Sequence, residues 1–123
     1  MAKRKLEYWY IGGKMTGEPE HGYPKFFAAE KRLHAKGYKT INPARLNRQG
    51  DDWFVCLRND IKFIVTKCKG IALLDNWHKS PGAKLELAIA IRLGMDIIDA
   101  QTLKPMKIEL KKRFSHRRKK WTG

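Results

Sequence analysis

Two stretches of this 123-residue chain hold residue types that could grip an anionic ligand and do chemistry on it. The first, YIGGKMTG at 10–17, follows a short apolar run. Its glycines, Gly13 and Gly17 among them, let the backbone approach a ligand closely, so that amide N–H groups could cradle a phosphate. Lys14 adds a charge and Thr16 a hydroxyl on either side of Met15. The second stretch, DNWHKSPGAKLE at 75–86, places Ser80, Pro81 and Gly82 at a helix start, where free N–H groups and the helix dipole attract an anion. Glu86 lies about four residues inside that helix among apolar Leu85, Ala88 and Ile89, and a carboxylate bordering a partly desolvated pocket can act as a nucleophile. Each feature also fits a plainer role: a glycine turn, Ser80 as an N-cap before Pro81, Glu86 as a solvated surface residue. The loop is neither the G-x-G-x-x-G fingerprint nor a P-loop.

These stretches need elements to hold them. Residues 6–11, LEYWYI, read as a buried strand ending at Gly12 and Gly13. PKFFAAEKRLHAK opens with Pro24, carries Phe26, Phe27, Ala29 and Leu33 on one face and closes at Gly37, which predicts a helix. Residues 38–41 read as a second strand, stopped by Asn42 and Pro43. From Asp52, the spacing of Trp53, Val55, Cys56, Leu57, Ile61, Ile64 and Val65 predicts a second helix reaching Lys69. GIALLD is a third strand. AKLELAIAIRL is a third helix, with Leu85, Ala88, Ile89 and Leu93 as its apolar set and Gly94 as its stop. Residues 95–98 give a fourth strand, and 103–114 a last helix running into a basic tail. Strands alternating with helices at this spacing predict an α/β fold: an open parallel sheet of four to five strands, helices on both faces, ligands beyond the C-terminal strand ends.

Composition narrows the partners. With 27 Lys plus Arg against 12 Asp plus Glu the net charge is +15, which favours polyanions such as nucleic acids or phosphorylated small molecules. Residues 104–123 hold +8 of it and residues 1–103 the other +7, so a basic tail (104–123) follows one domain (1–103). No apolar run is long enough for a membrane span and the N-terminus lacks signal-peptide character, so a cytoplasmic location is expected. Cys56 and Cys68 have neither C-x-x-C spacing nor a His pair nearby; free thiols, no metal and no cofactor are expected.

The ordered pieces YIGGKMTG, GYPKFFAAEKRLHAKGY, NPARL, WFVCLRNDI, IALLDNW and SPGAKLELAIAIRLGM, over residues 8–98, resemble a small bacterial and phage-associated domain family within the nucleoside 2-deoxyribosyltransferase-like superfamily. The resemblance implies a flavodoxin-like α/β fold, a homodimer or larger assembly, and action on N-glycosidic bonds of deoxynucleosides or deoxynucleotides. It further implies that Glu86 is the nucleophile at C1′ of the sugar and that Tyr10 orients it. Ser80 stands where nucleoside transferases carry an aspartate and monophosphate hydrolases a serine, which implies a 5′-phosphorylated substrate. Two departures stand out: Lys69, where the superfamily has an aspartate just before the third strand, and Lys14 in the glycine loop. Asp60 in RND and Asp75 in LLDNW are the remaining acids near the site, each equally compatible with a structural role. Trp77, like Trp53, reads as a pocket wall or core residue.

Three functions compete on these grounds. One is a deoxynucleotide N-glycosidase or deoxyribosyltransferase. Another is a catalytically silent binder of nucleotides or nucleotide-like signals, favoured by Lys69. The last is weak, sequence-independent nucleic-acid binding by the tail KKRFSHRRKKW, where Phe114 and Trp121 could stack on bases between the cations.

Overall fold

Short apolar runs ended by glycine or asparagine alternate with longer stretches of three-to-four apolar spacing, and the chain folds accordingly into alternating strands and helices. The computed structural model describes residues 5–110. In chain order it contains β1 (Tyr8–Gly12), α1 (Tyr23–Ala35), β2 (Lys39–Ile41), α2 (Pro43–Leu46), α3 (Trp53–Lys67), β3 (Cys68–Leu73), α4 (Pro81–Arg92) and β4 (Asp96–Asp99). Every strand pair is parallel and the sheet order is β2-β1-β3-β4, an α/β open sheet in the flavodoxin-like arrangement. The chain reverses its direction of travel across the sheet between β1 and β3, so a crevice opens beyond the C-terminal ends of these two strands.

Alternation along β1 sends Trp9 and Ile11 to one face and Tyr10 to the other. Phe26, Ala29 and Leu33 of α1 and Ala44 of α2 close the first face; Ile64 of α3 with Leu87 and Ala90 of α4 closes the second. The Trp9 indole lies across Gly70 of β3, where a Cβ would press into the ring and sit 2.8 Å from the Asp96 carbonyl oxygen. Only glycine permits that approach. No helix of the described residues is long and apolar enough to cross a membrane.

Three expectations need correction. The inner stripe of α4 is Ala83, Glu86, Leu87 and Ala90, not Leu85, Ala88, Ile89 and Leu93. Two alanines let the helix sit close to the sheet, and the larger apolar residues are left facing outward. The helix expected over 103–114 does not begin: Leu103 adopts φ +62°, and Pro105 bridges antiparallel to Ile98. Proline disfavours helix at the residue before it. The Met106 N–H donates to the Ile97 carbonyl (2.8 Å), and Met106 and Ile108 pack on the α3/α4 side of the core. Finally, α2 was read only as a strand stop, although Asn42 caps it through the Ala44 N–H and Pro43 fills its first position. The basic segment 111–123, with Phe114 and Trp121, lies outside the described residues.

Candidate active site

Tyr10 is the side chain that β1 sends towards α3 and α4 near its C-terminal end, and it is buried. Its hydroxyl donates to Glu86 Oε2 at 2.8 Å. Glu86 occupies the inner stripe of α4, where an apolar residue would otherwise sit. Asp60 holds the matching place on α3, one turn before Ile64, and its carboxyl lies within hydrogen-bonding reach of both Tyr10 and Glu86. Asn47, just after α2, donates from Nδ2 to Asp60 Oδ1 at 2.8 Å, and its own Oδ1 accepts from Asn59 Nδ2 at 3.4 Å. Three acidic groups thus meet at one buried point, delivered by β1, α3 and α4.

Their titration follows from that burial. Desolvation pushes Asp60 up to about 6, although hydrogen bonds from Asn47, Tyr10 and Glu86 favour its ionised form. Glu86 is raised well above the ordinary range, first by desolvation and then by the Asp60 charge. Tyr10 is raised by burial and by both carboxylates. Two adjacent carboxyls in a dry site cannot both ionise easily, so they share a proton. At neutral pH Asp60 carries the charge and Glu86 keeps the proton.

A cleft of about 480 Å³ opens above this floor. Its lining includes Tyr10, Gly13, Lys14, Met15, Thr16, Asp60, Ser80, Gly82 and Glu86, nine of the residues picked out from the sequence. Ser80 does cap α4, accepting the Ala83 N–H at 3.1 Å, and its own O–H stays free to donate into the cleft. The glycine loop works differently from expectation. The Lys14 N–H donates to Asn76 Oδ1 (3.0 Å) and the Glu18 N–H to the Met15 carbonyl (3.1 Å), so neither amide faces a ligand. Buried Asn76 staples the loop, since its Nδ2 also donates to Glu18 Oε1 at 2.6 Å. A Cβ on Gly13 would lie 2.7 Å from the Leu74 side chain, so glycine is what lets the loop pack there.

Three expected residues fall outside the cleft lining. Gly17 makes the outer turn of the loop at φ +85°. Asp75 is exposed and pairs with Lys25 at 3.1 Å. Trp77 packs against the β3/α4 core with its ring edge-on to His78. Conversely, His21, Asn47, Arg48, Trp53, Cys56 and Lys79 line the cleft unanticipated. Lys79 was legible, standing one residue before Ser80 in a stretch already singled out. Asn47, Asn76 and Arg48 carry no local pattern that distinguishes them from surface polar residues. Cys56 is half-buried and Cys68 buried, both as free thiols, and burial pushes Cys68 up to about 12. Among the described residues no group of His, Cys, Asp and Glu could hold a metal ion.

Lys69 changes meaning. It begins β3, at the opposite strand end from the cleft, with its ammonium 5.9 Å from the Trp9 ring centroid. It lines a separate depression with Lys5, Gly37 and Lys39. The acid next to Glu86 is Asp60, and Lys69 has no bearing on it.

A family model, described as the DUF4406 domain of unknown function, matches residues 7–99, from the start of β1 to the end of β4. The chain belongs to the DUF4406 family. No curated protein and no solved structure matches it. The DUF4406 region includes the whole floor of the cleft, Tyr10, Asp60 and Glu86, and the loops that surround it. The segment that runs back along β4 and the basic residues after it lie beyond the DUF4406 match.

Proposed function

We propose that the cleft is the active site of a deoxynucleotide N-glycosidase or deoxyribosyltransferase-like enzyme that acts through Glu86 on 5′-phosphorylated deoxynucleosides, as the resemblance to the nucleoside 2-deoxyribosyltransferase-like superfamily suggests. The observation that carries this reading is the buried Tyr10–Glu86–Asp60 cluster beneath a cleft rimmed by Lys14, Arg48 and Lys79. A buried carboxyl pair holding one proton suits a reaction that needs a nucleophile and an acid at the same moment.

The chemistry is as follows. Lys14, Lys79, the Ser80 hydroxyl and the start of α4 hold the 5′-phosphate, which sets the sugar above the floor. The shared proton passes from Glu86 to Asp60. The Glu86 carboxylate attacks C1′ as the C–N bond breaks, the bond's electrons leave with the nucleobase, and Asp60 protonates the departing base. Tyr10 keeps its hydrogen bond to Glu86 Oε2 and fixes which oxygen attacks. Asp60, now ionised, deprotonates a water that attacks C1′ from the other face and releases Glu86, giving hydrolysis with net retention. A second nucleobase in place of water gives transfer.

Incubation with each of the four deoxynucleoside monophosphates tests this. Free base is expected with wild type and not with Glu86→Gln. Tight binding of a monophosphate by both proteins, with no base released, would refute the reaction and leave a nucleotide binder. The net charge further supports weak contact of residues 111–123 with nucleic-acid phosphates, and the superfamily resemblance a homodimer or larger assembly within the cytoplasm.

A further inference from the structure

The outward faces of α3 and α4 carry apolar residues that the core does not use. Phe54 is 68% exposed, Leu93 55%, Leu85 45% and Val65 40%, and half-buried Ile61 and Ile89 fill the ground between them. On α3 the residues Phe54, Ile61 and Val65 follow helical spacing along one flank, and on α4 Leu85, Ile89 and Leu93 do the same. The two helices are neighbours: a Cβ on Gly82 of α4 would meet Leu57 and Trp53 of α3 at 3.7 Å. These side chains expose on the order of 500 Å² of apolar surface, at the upper end of what a monomer shows. With its polar margin the face approaches the roughly 800 Å² per partner of a standard interface.

We propose that this face pairs with the same face of a second copy of the chain, α3 running antiparallel to α3. Charge selects that occupant. Around the patch lie Arg58, Lys62 and Lys84, so the chain's own basic segment 111–123, which holds seven cations and no acid, is repelled from it. The acids beside it are Asp51 and Asp52, exposed at the start of α3. A two-fold axis beside Leu57 and Arg58 sets Phe54 opposite Ile61 of the second copy. The same axis brings Asp51 and Asp52 within about one helical turn of Lys62 of that copy, twice by symmetry. A parallel arrangement would place acids on acids. Because Trp53 lines the cleft and borders the patch, the second copy closes the rim on that side. This inference does not depend on the reaction proposed above.

Sedimentation equilibrium on the full chain across micromolar concentrations tests it. A dimer is expected, and Phe54→Arg should weaken it by about 30-fold or more while leaving the circular dichroism of the exposed-site variant unchanged. Lys62→Glu should weaken it about tenfold, and Asp51→Lys combined with Lys62→Glu should restore it. A chain monomeric throughout overturns the proposal and assigns the face to another protein. A dimer indifferent to Phe54→Arg overturns it as well, and failure of the charge swap to restore pairing overturns the antiparallel register.

Discussion

Asp60→Asn should make the protein more stable at neutral pH, and the size of the gain follows from the burial of the carboxyl. Asp60 is 8% exposed, and its pKa rises from 3.8 in the unfolded chain to about 6 in the fold. A group raised on folding contributes stability that is fully present below its unfolded pKa and is lost as pH climbs through the folded value. The wild type should therefore lose stability between pH 4 and pH 7. At 1.36 kcal/mol per unit the loss amounts to about 3 kcal/mol. In a domain of this size that is roughly 10 °C in Tm. Asparagine keeps an oxygen for the Asn47 donor and removes the charge, so Asp60→Asn should recover most of the loss at pH 7.5 and little at pH 4. Glu86→Gln should do much less, because Glu86 already holds the proton at neutral pH. Calorimetry of the three proteins over that range decides the matter. If Glu86→Gln stabilises as much as Asp60→Asn, or if wild type and Asp60→Asn run parallel from pH 4 to 7.5, the proton is misassigned and the acid role given to Asp60 fails with it.

Four other outcomes are expected. Tyr10→Phe removes the 2.8 Å donor to Glu86 and should lower kcat between about 10- and 100-fold, the worth of a hydrogen bond to a charged group, with KM little changed in steady-state base release. Asn76→Ala removes both hydrogen bonds that staple the glycine loop, so KM for the monophosphate should rise severalfold while kcat holds, and thermal melts should show a loss of about 1–3 kcal/mol. Gly70→Ala should destabilise by about 1–3 kcal/mol in urea titration, because its Cβ would enter the Trp9 ring. Deleting residues 111–123 should abolish a steep salt dependence of duplex DNA binding, whose logarithmic slope is roughly −6 if all seven cations engage, and leave nucleotide binding intact. Gel-shift titrations at several salt concentrations check this, and the cut belongs after Leu110 because Met106 and Ile108 pack on the core.

The parallel sheet was legible because each strand is a short apolar run with a clear stop, as in YWYIG before the glycine loop and IALL before Asp75. The site floor was legible only in part. Glu86 was picked out by its position after the helix start, but the reason offered, apolar neighbours at 85, 88 and 89, describes the outer face. Its burial comes from Ala83, Leu87 and Ala90, and small residues give a weak signal of which face turns inward. Asp60 looked like any acid on an amphipathic helix, since nothing local announces that α3 meets β1 and α4 at that turn. Lys69 misled for the same reason: proximity in sequence to β3 says nothing of which strand end a residue occupies. Asn47 and Asn76 act through partners 13 and 58–62 residues away, beyond what spacing can disclose.

The division between floor and rim also limits what variation in this chain could do. The floor residues come from three elements packed on one sheet face, and any two of them are coupled through a hydrogen bond or a shared proton. Changing one alters the protonation of the others, so a substitution there acts on the reaction as a whole. The rim cations Lys14, Arg48 and Lys79 sit on three separate loops. Each can change without disturbing the core, and so the rim can set which phosphorylated ligand enters while the floor sets what happens to it. A buried acid pair that lowers stability by about 3 kcal/mol at neutral pH, in a place where an apolar residue would pack, is expected only where the chain uses the proton it holds.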